Sequence, residues 1–175
     1  MLRLFSIPSF RALRMASNDM TLTTSQRALI PESKIDTEAV ERLEPLDSPT
    51  LAPLIPHLLI WIQDANWPVA WPVIQLLQKH PAIVVEPVRK VLRDEAGEVD
   101  DGSWKSNCLS ALVAEMDKEY QIQLKEEILR MARSPTKEEL EWETMDIAKD
   151  ILEELGITVE SSPKPSPGDL ESESK

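Results

Sequence analysis

The stretch WIQDANWPVAWP, residues 61–72, separates two segments whose apolar residues recur at helical spacing. Those residues lie three or four positions apart, so each group shares one helix face: Leu58, Leu59 and Ile62, then Trp67, Ala70, Trp71, Ile74 and Leu77. The polar residues and prolines between the two groups are typical of a turn. The stretch therefore predicts an elbow between two helices, with Asn66 as the N-cap of the second and a kink at Pro72.

The same apolar spacing predicts further helices along the chain. They are expected at about 36–43, 56–64, 83–93, 103–115, 118–133 and 137–155. Cap residues support several of these bounds: Asp36, Ser48 ahead of Pro49, a capping box of Thr136 with Glu139, and Gly156. Two-helix units recur at roughly 35–45 residues, as in HEAT repeats. We predict an all-α fold: a HEAT-like helical repeat of about six helices in antiparallel pairs.

Composition divides the chain into three parts. The helical pattern occupies residues 34–157. Residues 1–33 are expected to be a disordered leader, in which 19–33 form an unstructured linker. Residues 158–175 are rich in serine, proline and acids, and such a composition favours a disordered tail.

Residues 1–18 contain Arg3, Arg11 and Arg14 and no acidic residue. An arginine-bearing, acid-free segment is typical of mitochondrial targeting peptides. We nevertheless expect a cytoplasmic protein. Mitochondrial targeting through residues 1–18 is the alternative. Met15 is an alternative start site.

The charge of the chain narrows the class of partner. It carries 31 Asp and Glu against 19 Lys and Arg, a net charge of −12. Nucleic-acid binding requires clustered cations, and anionic membranes repel an acidic protein, so neither partner is expected. The longest apolar stretch, residues 51–62, is too short to cross a bilayer. The sequence favours a protein partner, basic in character, for a chain expected to be a monomer.

Known catalytic motifs are not found, and four glycines are too few for a phosphate-binding loop. We assign no catalytic residue, no metal site and no cofactor. His57 and Asp64 would need further ligands to hold zinc. Cys108 shares an apolar helix face with Trp104 and Leu112, so a buried, unreactive thiol is expected. Enzymatic activity is left open.

The elbow and a downstream Trp–Lys pair supply the candidate site. Its members are Trp61, Gln63, Asp64, Asn66, Trp67, Trp104 and Lys105. Asp64 at the end of a helix is electrostatically unfavourable unless a cation binds it, and Lys105 is the expected partner. In one interpretation these polar residues lock the elbow. In the other they form a polar pocket, rimmed by tryptophans, that receives a peptide or small ligand.

The segments LLIWIQDANWPVAWPV, residues 58–73, and SWKSNCLSAL, residues 103–112, resemble a domain-of-unknown-function family of small bacterial and fungal proteins. Its core is W-x-Q-D-x-N-W-P, followed by a Trp–Lys pair, and the resemblance covers about 30–155. It implies a HEAT-like helical fold and brings no activity.

Helical stacks present extended surfaces to partners. The leading hypothesis is therefore a protein-interaction or scaffold module, with Asp64, Asn66, Trp67 and Lys105 on its contact surface. The alternative is a ligand-binding protein or enzyme with a polar pocket at the corner from Gln63 to Trp67.

Overall fold

The structure, a computed structural model, describes residues 22–159. Within that range the chain forms helices and turns and no strand, which confirms the all-α prediction. The α-helices are α1 (Thr24–Arg27), α2 (Thr37–Leu43), α3 (Ser48–Leu51), α4 (Ile55–Leu59), α5 (Ala70–Gln78), α6 (Pro81–Leu92), α7 (Gly102–Cys108), α8 (Lys118–Gln121), α9 (Lys125–Arg133), α10 (Lys137–Glu141) and α11 (Thr144–Glu154). The predictions for residues 1–18 and for the tail after residue 159 lie outside the described residues.

The segment before α2 packs on the domain, where the sequence predicted an unstructured linker. A capping box between Thr23 and Gln26 begins α1, and the Leu22 side chain is buried in the core. Farther on, the Val69 backbone N–H donates to the Lys34 carbonyl at 3.0 Å. This bond places the segment beside the start of α5.

One helical rod runs from Ser48 to Ile62 and changes twice from α-helical to 3₁₀ winding. The 3₁₀ turns Ala52–Leu54 and Ile60–Ile62 follow α3 and α4. The N-cap of the rod is Asp47, whose side chain accepts the Thr50 N–H, and not Ser48 as predicted. Asp47 has the extended backbone of an N-cap, and Ser48 already lies inside the helix.

The helices α5 and α6 pack side by side after the elbow. Helix α5 begins at Ala70, later than the predicted cap at Asn66. Pro72 lies in its first turn, where backbone N–H groups lack helical partners, so the proline requires no kink. The predicted stripe placed Trp71 in the core, but its side chain is 58% exposed, because Ala70, Val73 and Leu77 set the buried face. Helix α6 continues through Pro87 without a restart.

The predicted uniform helix at 103–115 changes at Leu109 into a π-helix, Leu109–Val113, in which Ala114 N–H reaches Leu109 O at 2.9 Å. Two glutamine side chains bind carbonyls of this turn. Gln78 Nε2 donates to Ala111 O at 2.8 Å, and Gln121 Nε2 donates to Val113 O at 3.1 Å. The π-helix is therefore fastened to α5 and α8.

The last predicted helix is divided in two. The capping box of Thr136 with Glu139 opens α10 as predicted, but Glu143 adopts a left-handed φ of 55° and α11 starts afresh. Leu140 lies just before the break, and it is 51% exposed. Helix α11 packs against α9 and ends at Glu154, with Leu155 as its C-cap, so the predicted cap Gly156 follows one position later with a φ of 72°.

The core fills the space between the rod and the helices that follow it. Trp104, Cys108 and Leu112 are buried in it, as their four-residue spacing predicted. Among the helices of residues 22–159, none combines the length and the apolar character needed to cross a bilayer.

Candidate functional site

Side chains of α7 cap the carboxyl end of the rod. Trp104 Nε1 donates to Leu59 O at 2.9 Å, and Asn107 Nδ2 donates to Ile62 O at 2.9 Å. Ser103 Oγ donates to the Gln63 carbonyl at 3.0 Å. The last carbonyls of a helix lack partners within it, so these three donors satisfy groups that would otherwise need water. These bonds hold the elbow against the SWKSN segment, residues 103–107.

Trp61 and Trp67 lie on the two sides of the elbow and contact each other. Their ring centroids are 6.0 Å apart and their planes meet at 64°, an edge-to-face pair. Both side chains are half-buried and pack against the core, so each keeps part of its surface in solvent. The pair closes the turn and leaves an aromatic surface outside.

The polar residues of the turn bind one another. Asp64 Oδ1 accepts the Asn66 backbone N–H at 2.9 Å and the Asn66 Nδ2 at 3.0 Å. Asn66 therefore folds back on Asp64 and does not cap α5, which corrects the prediction. The capping role passes to a backbone bond, from Val69 N–H to Lys34 O. Gln63 contributes its carbonyl to α7, and its half-buried side chain lies at the same corner.

Lys105 does not bind Asp64, which corrects the second prediction for this corner. Its ammonium group is 1% exposed and lies on the opposite side of α7, between three carboxylates. The Nζ atom is 2.8 Å from Asp94 Oδ1, 3.0 Å from Glu139 Oε1 and 3.6 Å from Asp100 Oδ1. A buried ammonium needs such partners, and the exposed Asp64 turn offers fewer of them.

The carboxylates around Lys105 are themselves held by other groups. Arg130 grips both oxygens of Glu139, at 2.5 and 2.6 Å, and the Thr136 backbone N–H donates to the same carboxylate at 2.9 Å. Asp100 Oδ1 accepts the Thr136 hydroxyl at 2.5 Å. The resulting cluster joins α7, the 94–101 loop and α10.

The electrostatics of the cluster keep it charged. Burial works to lower the pKa of Lys105, but its hydrogen bonds to Asp94 and Glu139 outweigh burial and raise that pKa. Burial likewise works to raise the pKa of Glu139, yet bonds from Arg130, Thr136 and Lys105 hold it below its ordinary value. Lys105 is therefore an ammonium at neutral pH, unsuited to act as a base or nucleophile.

Sequence reasoning missed the residues that surround Lys105. Asp94 and Asp100 had no predicted role, and Glu139 had only that of a capping residue. The available signal was the position of Lys105: it directly follows Trp104 and precedes Cys108, and both of these are buried. A lysine on a buried helix face requires carboxylates within reach.

Other chemistry is sparse in the described part of the chain. No group of three or more His, Cys, Asp and Glu residues within 22–159 is arranged to hold a metal ion. The Cys108 thiol is buried, and burial, with a smaller contribution from Asp101, raises its pKa far above that of a free thiol. An open groove of about 450 Å³ lies at the carboxyl end of α11, away from the elbow, lined in part by Lys149, Ile157 and Val159.

Comparison with known proteins gives a family match. No curated protein matches the chain. A family model described as a domain of unknown function, DUF5071, matches residues 29–152, a range that includes the elbow, α7 and the Lys105 cluster. Because the match covers most of the chain, this protein belongs to the DUF5071 family.

Proposed function

We propose that the protein is a protein-interaction module built on a HEAT-like stack of helices, and that its contact surface is the outside of the elbow. We call this surface the tryptophan corner and define it by Ile35, Trp61, Trp67 and Trp71. Lys105 is not part of it, because that side chain is buried.

One observation carries the proposal: Trp71 exposes 58% of its side chain on the outer face of α5. It follows Trp67, a member of the half-buried Trp61–Trp67 pair, by four positions in the sequence. Ile35, 70% exposed, adjoins Lys34, whose carbonyl binds the Val69 N–H. Single exposed apolar residues are ordinary, but several at one corner are typical of interaction sites, where tryptophan is enriched.

The favoured partner is a protein that offers an apolar segment to the tryptophans. The net charge of −12 favours a cationic partner and opposes nucleic acid. The pocket alternative is weaker, because the polar groups it needs already bind within the elbow. Asp64 accepts two bonds from Asn66, and the Gln63 carbonyl accepts from Ser103.

Site-specific photo-crosslinking tests the proposal. A photoreactive phenylalanine replaces Trp71 in the full chain, and the matched control carries it at Ile122, which is 47% exposed on the α8–α9 side. We expect a discrete protein adduct, formed in cells of the source organism, at position 71 and not at 122. Equal adduct patterns at both positions would refute the tryptophan corner as a specific surface.

A further inference from the structure

A second surface of the molecule combines strong negative charge with exposed apolar side chains. It consists of residues 94–101 and 136–143, which we call the acidic face. The two segments touch through the Asp100–Thr136 bond and through Lys105, which binds both Asp94 and Glu139. They therefore form one continuous surface, distinct from the tryptophan corner.

The acidic face carries half of the net charge of the chain. Its two segments contain nine acidic residues and one basic residue, Lys137. Lys105 and Arg130, which bind into it, offset two more negative charges. The remaining charge is −6, against −12 for the whole chain. A cationic segment is thus the complement that electrostatics favours here.

Exposed apolar side chains, which we call the anchors, also lie on the acidic face. Val99, Leu140 and Trp142 expose 79%, 51% and 49% of their side chains, and they are three of the six large apolar residues that are exposed within residues 22–159. Gly102 fixes the place of Trp142, because a Cβ at Gly102 would lie 2.7 Å from the Trp142 Cδ1 atom. The face therefore offers an aromatic ring in a fixed position, on the same two segments as the nine acidic residues.

We propose that the acidic face docks residues 1–18 of the same chain. That segment has the complementary chemistry: Arg3, Arg11 and Arg14, and no acidic residue. It also supplies apolar side chains for the anchors: Leu2, Leu4, Phe5, Ile7, Phe10 and Leu13. Arginine fits this surface well, since it pairs with carboxylates and stacks on aromatic rings.

The length of chain before the domain permits this contact. Leu22 is buried, and its carbonyl accepts the Arg27 Nε–H at 3.3 Å, so the attachment point is fixed. The 21 residues ahead of it reach up to roughly 70 Å at about 3.4 Å per residue. A domain of this size has a radius of gyration of about 14 Å, so the start of the chain can reach the acidic face around its surface. Covalent attachment also gives the segment an effective concentration of about millimolar, which favours it over a free peptide.

The experiment uses the purified full chain, with a photoreactive phenylalanine at position 142 and a matched control at Ile122. We expect crosslinks from position 142 to residues 1–18 at monomer mass, and few from position 122. Replacing Arg3, Arg11 and Arg14 together by Gln should lower the yield at 142 roughly tenfold, since three ion pairs are removed. Raising the salt from about 0.1 M to about 1 M should lower it as well.

Other results would overturn the proposal. Equal yields at positions 142 and 122, or a yield unchanged by the arginine substitutions, would mean that the segment meets the face only by chance. Crosslinks at dimer mass would assign the face to a second copy of the chain. Displacement of the 1–18 crosslink by a free Arg-rich peptide at micromolar concentration would assign the face to a partner protein. The melting temperature of each variant shows whether the domain remains folded.

Discussion

Lys105 and Glu139 form an ion pair in which neither side chain is solvated: their exposures are 1% and 0%, and Nζ lies 3.0 Å from Oε1. The residues are 34 positions apart, on α7 and α10. Buried charges of this kind depend on each other, because removing one takes away part of the counter-charge of the other, although Asp94 and Arg130 remain in place. The pair therefore holds α10 against α7, the helix that also caps the elbow. Asp94, which binds Lys105 as well, holds the 94–101 loop at the same place.

We predict that Lys105→Met lowers the free energy of unfolding by about 3 kcal/mol, because Glu139 loses a buried partner. Glu139→Gln should also destabilise the fold. The double variant should lose less than the sum of the singles, by roughly 1–3 kcal/mol, since the two groups act together. Urea unfolding of the four chains measures this coupling.

The matched control is the exposed pair of Lys137 and Glu141, one turn apart on α10 at 3.4 Å. Its coupling in the same cycle should not exceed about 0.5 kcal/mol, as for surface pairs in general. Equal coupling in the two cycles would contradict the structural role of the buried pair.

The pKa shifts predict a plateau of stability with two edges. The pKa of Glu139 is lowered in the fold, so its contribution is full above about pH 4.3, the unfolded value, and is lost as pH falls through the folded value. The pKa of Lys105 is raised, so its contribution is full below about pH 10.4 and is lost as pH rises through the folded value. Unfolding free energies across pH should show that Glu139→Gln flattens the acidic edge and Lys105→Met the alkaline edge. An acidic edge as steep in Glu139→Gln as in the unmodified chain would count against the assignment.

Gly102 is predicted to tolerate no side chain. A Cβ there would lie 2.7 Å from the Glu138 carbonyl carbon, and backbone atoms cannot rotate away. We expect Gly102→Ala to cost about 1–3 kcal/mol of stability, as overpacking does elsewhere. Ser106→Ala, on the same helix, should change stability by about 0.5 kcal/mol at most. Thermal melting compares the two, and equal melting temperatures would show that α10 does not approach α7 so closely.

Cys108 is predicted to be unreactive in the native protein. It is fully buried, and burial raises the pKa of its thiol, so neither access nor thiolate is available. As the single cysteine of the chain, it gives an unambiguous signal with a thiol reagent. The rate of thiol labelling should match the rate at which the folded domain opens, and labelling should become fast only in denaturant. Native labelling as fast as that of glutathione would contradict the packing of α7.

The sequence predicted the helices because apolar spacing reports the buried face directly. Trp104, Cys108 and Leu112 are buried as their spacing required. It failed where tertiary bonds override local pattern. The carbonyls of the π-helix Leu109–Val113 accept from Gln78, 33 positions before Ala111, and from Gln121, eight positions after Val113. The helix break at Glu143 could not be predicted, because no glycine or proline marks it in the sequence.

Trp61 and Trp67 contact each other because both flank a short turn. The partner of Lys105 could not be predicted from the sequence, because its charge indicates that the partner is a carboxylate but not which carboxylate. Asp64 lies 41 positions before Lys105 and Glu139 lies 34 after it, and only the fold decides between them.

The inside of the elbow holds the fold, and we propose that its outside binds a partner. The most direct test measures melting temperature and partner retention together for Asn107→Ala and Trp71→Ser. Asn107→Ala removes the donor to Ile62 O and should lower the melting temperature while the folded protein keeps its partner. Trp71→Ser should leave the melting temperature nearly unchanged and abolish retention of the partner. If Trp71→Ser keeps the partner, or if Asn107→Ala loses it while still folded, the division between inside and outside is wrong.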